Sequence, residues 1–376
     1  MPYDVSVVKC AEYDKKVLED ALNEAFLPID ALSFVRPGMK IAIKANLVTF
    51  KKPQAAATVH PALLTALCKL LTDRGASVVV GDSPGGLFTP AYLATVYNAT
   101  GVHAVEQTGA VLNTDCRERE VQYPEAKILK RFSYTSYLDQ ADAVINVCKL
   151  KTHAMMGMTC AAKNMFGVVP GTKKPEMHCR FPDQNDFADM IVDLNEYRRP
   201  ELVVVDAVVG MEGNGPNSGT PRQIGAILAG KNPYLVDLAA AKIIGIPLAD
   251  VPVSEAAYRR GLAPQSVDEV SVSGDLFALC IPDYQLLHAR GTDLSANPFL
   301  QSVCALCLSA KPVLTAQKCV GCEVCKKTCP VHAITMAQKK PVIDRSRCIR
   351  CFCCQEFCPQ GALGQKRPLV ARILQK

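Results

Sequence analysis

Along the first 300 residues, short apolar runs rich in β-branched side chains alternate with longer segments whose apolar positions recur every three or four residues. The runs Tyr3–Val8, Lys40–Lys44, Ser77–Gly81, Ala143–Val147, Leu202–Asp206 and Ile224–Leu228 predict strands. The segments Asp14–Phe26, Pro61–Asp73, Pro90–Asn98 and Pro233–Ile244 predict helices. Pro61, Pro90 and Pro233 stand in a predicted first turn, where a missing N–H costs the helix nothing. Alternation of this kind predicts an α/β fold with a largely parallel sheet and flanking helices. The pattern then breaks. Gly291–Pro312 reads as a linker, and beyond it one cysteine-rich unit occurs twice, as CVGCEVCKKTCPVHAI and CIRCFCCQEFCPQGAL. The expected division is an α/β domain over 1–300, a linker over 301–312, a small α+β module over 313–364 and a basic tail over 365–376.

Cysteine usage changes the picture most. Eleven of the eighteen cysteines lie between Cys304 and Cys358. A disulfide scaffold is usually small and secreted, so in a chain of this length such clustering points to metal. The runs are Cys319-x2-Cys322-x2-Cys325-x3-Cys329-Pro330 and Cys348-x2-Cys351-x2-Cys354-x3-Cys358-Pro359. That spacing wraps three thiolates round one [4Fe-4S] cubane, and the fourth cysteine reaches the other cluster. The first cluster is therefore expected on Cys319, Cys322, Cys325 and Cys358, and the second on Cys348, Cys351, Cys354 and Cys329. The alternative is a pair of zinc knuckles. This stretch resembles the bacterial two-[4Fe-4S] ferredoxins, from which Cys353 departs as an extra thiol, read as a non-ligand. Cys304 and Cys307 cannot complete a site alone and read as core or redox residues.

Charge is uneven. Residues 311–376 hold thirteen Lys and Arg against three acids, a formal +10, and the rest of the chain carries −4. A redox partner protein is the expected partner. Nucleic acid is not expected, because no Trp is present and basic residues are not interleaved with aromatics. The N-terminal run resembles no signal peptide, and no apolar stretch reaches the ~18 residues that span a bilayer. The chain is read as cytoplasmic.

In the first 300 residues, polar clusters follow predicted strands: Lys44-Ala-Asn46 with His60, Gly81-Asp82-Ser83-Pro84-Gly85-Gly86, and Lys149 to His178. Parallel strands bring their C-terminal ends together, where open α/β sheets bind ligands. Lys151, His153 and Lys163 are the expected catalytic residues, with Lys44, His60, Lys149, Lys173 and His178 completing an anion pocket suited to a carboxylate or phosphate and a proton donor. The competing reading is a set of solvated lysines. Neither Gly213–Gly219 nor Gly167–Lys173 fits a dinucleotide or P-loop fingerprint, so neither NAD nor ATP is expected.

The segments IKANLV, HPALLTALCKLL, GDSPGG, KLKTHAMMGMTCAAKNMFGVVPG and VDAVVGMEGNGP resemble domain-of-unknown-function family 362, which often carries a C-terminal ferredoxin module. The resemblance implies architecture and little chemistry. The Lys/His/Gly pattern is more faintly similar to nickel-pincer lactate racemases, on no complete motif. The expected function is single-electron relay through two [4Fe-4S] clusters to or from the anion site, in a redox enzyme or a ferredoxin-like carrier. The alternative is an electron-relay adaptor with no substrate site of its own.

Overall fold

The computed structural model describes residues 2–287 and 310–366. In chain order the strands are β1 (Val5–Lys9), β2 (Lys40–Lys44), β3 (Ser77–Gly81), β4 (Val111–Leu112), β5 (Glu118–Gln122), β6 (Arg131–Thr135), β7 (Ala143–His153), β8 (Gly157–Thr159), β9 (Leu202–Glu212), β10 (Thr220–Gly230) and β11 (Val272–Ser273). All but the β5–β6 hairpin join one nine-stranded sheet in the order β11-β1-β10-β9-β7-β2-β3-β4, with β8 beside β7. The run β4-β3-β2-β7-β9 is parallel throughout. β10 is antiparallel to β9 and to β1. The reason is the short link Gly213–Gly219: a parallel return needs a crossover of a dozen residues or more. The sheet is therefore mostly parallel, with one hairpin inserted where the sequence pattern showed only two separate strands.

Both faces are covered. Helices α1 (Lys15–Phe26), α2 (Pro61–Thr72) and α3 (Pro90–Thr100) pack on Ile43, Val80, Ile145, Val147 and Val204. On the other face lie α4 (Ala161–Asn164), α5 (Lys174–Arg180), α6 (Gln184–Tyr197), α7 (Pro233–Ile244) and α8 (Pro252–Arg259). There Val144 joins the core of α6 and α8, and Cys148 with Val205 joins that of α7. The period of two along β7 and β9 sends alternate side chains to the two cores. Helix starts are capped as the prolines suggested. Asp14 accepts from the amides of Lys16 and Val17, and Thr89 and Asn232 cap the helices opened by Pro90 and Pro233.

The C-terminal module pairs β12 (Lys311–Leu314) with β15 (Leu363–Lys366) and β13 (Ile334–Ala337) with β14 (Lys340–Ile343), and carries the short helices α9 (Val324–Lys327) and α10 (Cys353–Glu356). Lys311 and Pro312, assigned to the linker from sequence, belong to a strand of this module. The rest of that linker, with Cys304 and Cys307, and tail residues 367–376 lie outside the described residues. No helix among the described residues is long and apolar enough to cross a membrane.

Candidate functional site

The two cysteine loops adopt one shape twice. Positive φ recurs at equivalent positions: Gly321 and Arg350 (75° and 58°), Glu323 and Phe352 (61° and 60°), His332 and Gly361 (52° and 57°). Four of these six are not glycine, and such conformations persist only where the surroundings over-determine them. In each loop the amide four residues after the last cysteine donates to its sulfur at 3.2 Å, Ala333 to Cys329 and Ala362 to Cys358. Cys319, Cys322, Cys325 and Cys358 line one cavity. Cys329, Cys348 and Cys354 pack in one small core with Cys325, and Cys348, Cys351 and Cys329 bear electrostatically on Cys354. Cys358 thus crosses to the first loop, and Cys329 packs with Cys348 and Cys354 of the second. This grouping of thiols fits cubane ligation. No three His, Cys, Asp or Glu among the described residues converge on a single-ion site, and a four-iron cubane spreads its thiolates wider than one ion does. Cys353 is fully buried.

The strand ends of the body build a second site. Lys44 ends β2, Asp82 follows β3, and Lys151 and His153 end β7. All are buried. Lys44 Nζ donates to Asp82 Oδ1 (2.9 Å), Asn164 Oδ1 (2.7 Å) and the Ala45 carbonyl (2.9 Å). Asp82 also accepts from the amides of Leu47 and Ser83. Lys151 Nζ donates to Asn46 Oδ1 (2.9 Å) and the Ala57 carbonyl (2.7 Å), and Asn46 donates to Asn164. Lys174 Nζ is held by the carbonyls of Ser83 and Val169. These lysines are locked by their neighbours. Lys163, on α4, is not: among the described residues its ammonium has no hydrogen-bond or ion-pair partner, and it lies 5.6 Å over the Phe166 ring. Thr159 Oγ1, also buried, has no partner either.

Lys44, Asn46, Asp82, Thr159, Lys163 and Lys174 line a common cavity that Lys151 also reaches. Its cap comes from the module: Glu356, between the cluster cysteines Cys354 and Cys358, closes the same cavity. Burial lowers the pKa of Lys151 and of Lys174 to about 7, with Glu356 opposing the shift at Lys151 and Asp82 at Lys174. Burial also lowers that of Lys163. His153 stands behind the cavity. Its Nδ1 accepts from the amides of Met155 and Met156 (both 3.1 Å), so the neutral ring carries its proton on Nε2. That nitrogen has no hydrogen-bond partner and faces Glu356 Oε2 at 4.0 Å. Burial, then the Lys163 charge, holds His153 well below its usual pKa. His178 stacks on Phe187 at 4.4 Å, with a pKa of about 3, first through burial and then through Lys163.

The structure thus brings Lys44, Lys151 and Lys163 together, with His153 and His178 alongside. It does not bring in the other three. Lys149 pairs instead with Asp206 (2.8 Å) and Tyr13 (2.9 Å): residues two apart on a regular strand share a face, and it is the register shift between Lys149 and Lys151 that separates their side chains. His60 stacks on Tyr13 at 3.7 Å in that second cluster. Lys173 is at the surface beside Glu118 (3.2 Å) and Glu120 (3.6 Å). Glu356 escaped sequence reasoning, since nothing in its run separates it from a solvated helix residue.

The module is fastened over this site. Gln355 Nε2 donates to Asn214 Oδ1 (2.5 Å) and the Gly215 carbonyl (3.1 Å), and Asn217 Nδ2 donates to the Glu356 carbonyl (2.6 Å). Gly85 leaves room for Phe357: a Cβ there would meet the ring at 2.8 Å. The polar loops after β3 and β9 are therefore docking surfaces as well as strand ends. Comparison with known families agrees with both halves. The model of the domain of unknown function DUF362 matches residues 41–242, more than half of the chain. The chain belongs to the DUF362 family. A 4Fe-4S dicluster domain matches residues 311–359, so this DUF362 protein carries [4Fe-4S] chemistry and an iron–sulfur electron-carrier module. A thylakoid-associated protein of Synechocystis sp. is 29% identical over 276 residues, 71% of this chain and 83% of that protein. Among solved structures, the lactate racemase apoprotein of Thermoanaerobacterium thermosaccharolyticum is similar at a TM-score of 0.39 with 13% identity, over 61% of this chain and 54% of that one. A Thermotoga maritima protein is similar at 0.34 with 10% identity, over 57% and 55%. The DUF362 chain spans about half the length of each of these two.

Proposed function

We propose that this DUF362 protein is an iron–sulfur oxidoreductase that binds a small organic anion in the lysine-lined cavity of its body and exchanges single electrons with it through two [4Fe-4S] clusters. The observation that carries the reading is Lys163, a buried lysine whose ammonium makes no hydrogen bond or ion pair among the described residues, in a cavity capped by Glu356 of the cluster module. An unpaired buried charge is costly, and an anion would relieve that cost. Four lysines and two acids, Asp82 and Glu356, line the cavity, leaving cationic excess.

When bound, the clusters would supply one-electron transfer. Cys319, Cys322, Cys325 and Cys358 would hold the first, and Cys348, Cys351, Cys354 and Cys329 the second. Cys322 is exposed where its counterpart Cys351 is half-buried, which supports an outward first cluster and an inward second. The outward loop offers exposed Val320 beside Lys318, Lys326 and Lys339, a surface suited to an acidic redox protein. That carrier would lose one electron per encounter. A closed-shell substrate would take two electrons with two protons. In the body, Lys163 and Lys151 would bind the anion and Thr159 would orient it. Lys44, Asp82, Asn46 and Asn164 keep the cavity's shape. His153 would hold Glu356 by its Nε2–H.

The test is anaerobic purification followed by mass spectrometry of small anions released on denaturation, in wild type and Lys163→Ala. A bound anion lost in the variant supports the enzyme. No anion in either, with partner-driven reduction unchanged by Lys163→Ala, would make the chain an electron-relay adaptor instead.

A further inference from the structure

A second cavity adjoins the lysine-lined one and shares Val48, Gly85 and Glu356 with it. The two differ in size and chemistry. The inner cavity holds about 40 Å³ and is cationic. The outer one holds about 250 Å³ between body and module, and its walls include Phe50, Leu87, Tyr92 and Phe357. Phe50 meets Tyr92 edge to face at 6.4 Å. Phe50 and Leu87 keep 45% and 59% of their surface exposed, so these apolar groups stand in the mouth rather than in a core. Tyr92 is fixed by its hydroxyl, which donates to the Gly85 carbonyl at 2.8 Å.

We propose that the substrate class is an amphipathic carboxylate: a single carboxylate in the inner cavity, carrying one aryl or short alkyl group seated among Phe50, Leu87, Tyr92 and Phe357. This rests on the anion site proposed above and adds the identity of what the anion carries. The inner volume admits a carboxylate head and little else, which excludes a sugar phosphate or nucleotide held wholly inside. The outer walls are mostly rings and methyls, with Thr49, Thr328 and Asn217 among the few polar groups, so the group beyond the head is apolar. Lys51 stands at the rim, where its ammonium donates to the Asn217 carbonyl at 2.7 Å. Gly85 and Gly86 keep the passage open: a Cβ on Gly85 would meet Phe357 at 2.8 Å, and one on Gly86 would meet the Tyr92 hydroxyl at 2.5 Å.

The test is calorimetric titration of the anaerobic, cluster-loaded full chain with acetate, phenylacetate and the neutral phenylacetamide. Burying about 60 Å² of apolar surface is worth about a factor of ten in affinity. Phenylacetate is therefore expected to bind at least about tenfold tighter than acetate, with phenylacetamide far weaker than phenylacetate. In Leu87→Ser the phenylacetate-to-acetate ratio falls towards one. In Lys163→Ala both anions are lost. Equal binding of acetate and phenylacetate, or an unchanged ratio in Leu87→Ser, overturns the apolar subsite and leaves the anion site standing. Phenylacetamide binding as tightly as phenylacetate, or acetate binding unaffected by Lys163→Ala, overturns the anion site and the proposal with it.

Discussion

His153 Nε2 and Glu356 Oε2 face each other across 4.0 Å, one from the end of a central strand and the other from the helix between two cluster cysteines. This is where the DUF362 body and the iron–sulfur module meet electrostatically. Lys151 and Lys163 both feel the Glu356 carboxylate. The lysine-lined cavity is therefore a property of the assembled chain, closed on one side by the module.

Lys44 and Lys163 should respond differently to removal. Lys44→Ala leaves Asp82 buried without its cation and should cost about 3–5 kcal/mol of stability. Lys163→Ala removes an ammonium with no hydrogen-bond or ion-pair partner among the described residues, so it should leave stability unchanged or raise it, while abolishing anion binding. Denaturant unfolding of both variants checks the first point and titration with phenylacetate the second. Equal destabilisation would make Lys163 a scaffold residue.

Anion binding should weaken as pH rises through about 7, the pKa that burial gives Lys151 and Lys174. Each proton taken up with the anion adds about tenfold per pH unit above that point. Stability should move the other way. A lysine whose folded pKa is lowered binds fewer protons folded than unfolded, so its penalty is full below about 7 and fades towards the ordinary lysine value near ~10.4. Titrations at pH 6 and 8.5, paired with urea unfolding at both, test the two slopes together.

Anaerobically purified protein should contain about eight iron and eight sulfide per chain. Cys354→Ser should lose or convert one cluster, and Cys353→Ser should keep both. Metal and sulfide analysis with electron paramagnetic resonance of the reduced protein decides. Zinc without sulfide, or equal iron loss in both variants, would overturn the ligand register.

Gly85→Val should loosen the module, because a Cβ there already meets Phe357 at 2.8 Å. Asn217→Ala should do so more mildly, removing one bond to the Glu356 carbonyl at a cost of about 1 kcal/mol. Limited proteolysis between residues 288 and 309 is the readout: faster release at low salt in Gly85→Val than in wild type is the expected result. Equal release would show that these contacts do not hold the module.

Local chemistry made some things readable from the chain alone. The cysteine spacing specifies its own loop, so the paired runs by themselves point to [4Fe-4S] chemistry. Period-two runs and prolines at helix starts pointed to the α/β sheet. Lys44, Lys151 and Lys163 were legible as a group because parallel strands end on one side. The rest depended on non-local geometry. Lys149 is two residues from Lys151, yet a register shift between them leaves it paired with Asp206 and Tyr13 instead. His60 follows Tyr13 there, and Lys173 escapes to two surface glutamates. The hairpin Gly213–Gly219 turns β10 antiparallel, and its Asn214 and Asn217 grip the module, a contact across some 140 residues. Glu356 enters the cavity only through that docking. Spacing along a chain encodes which atoms can share one loop, whereas the face of a sheet and the partner of a loop are settled by packing.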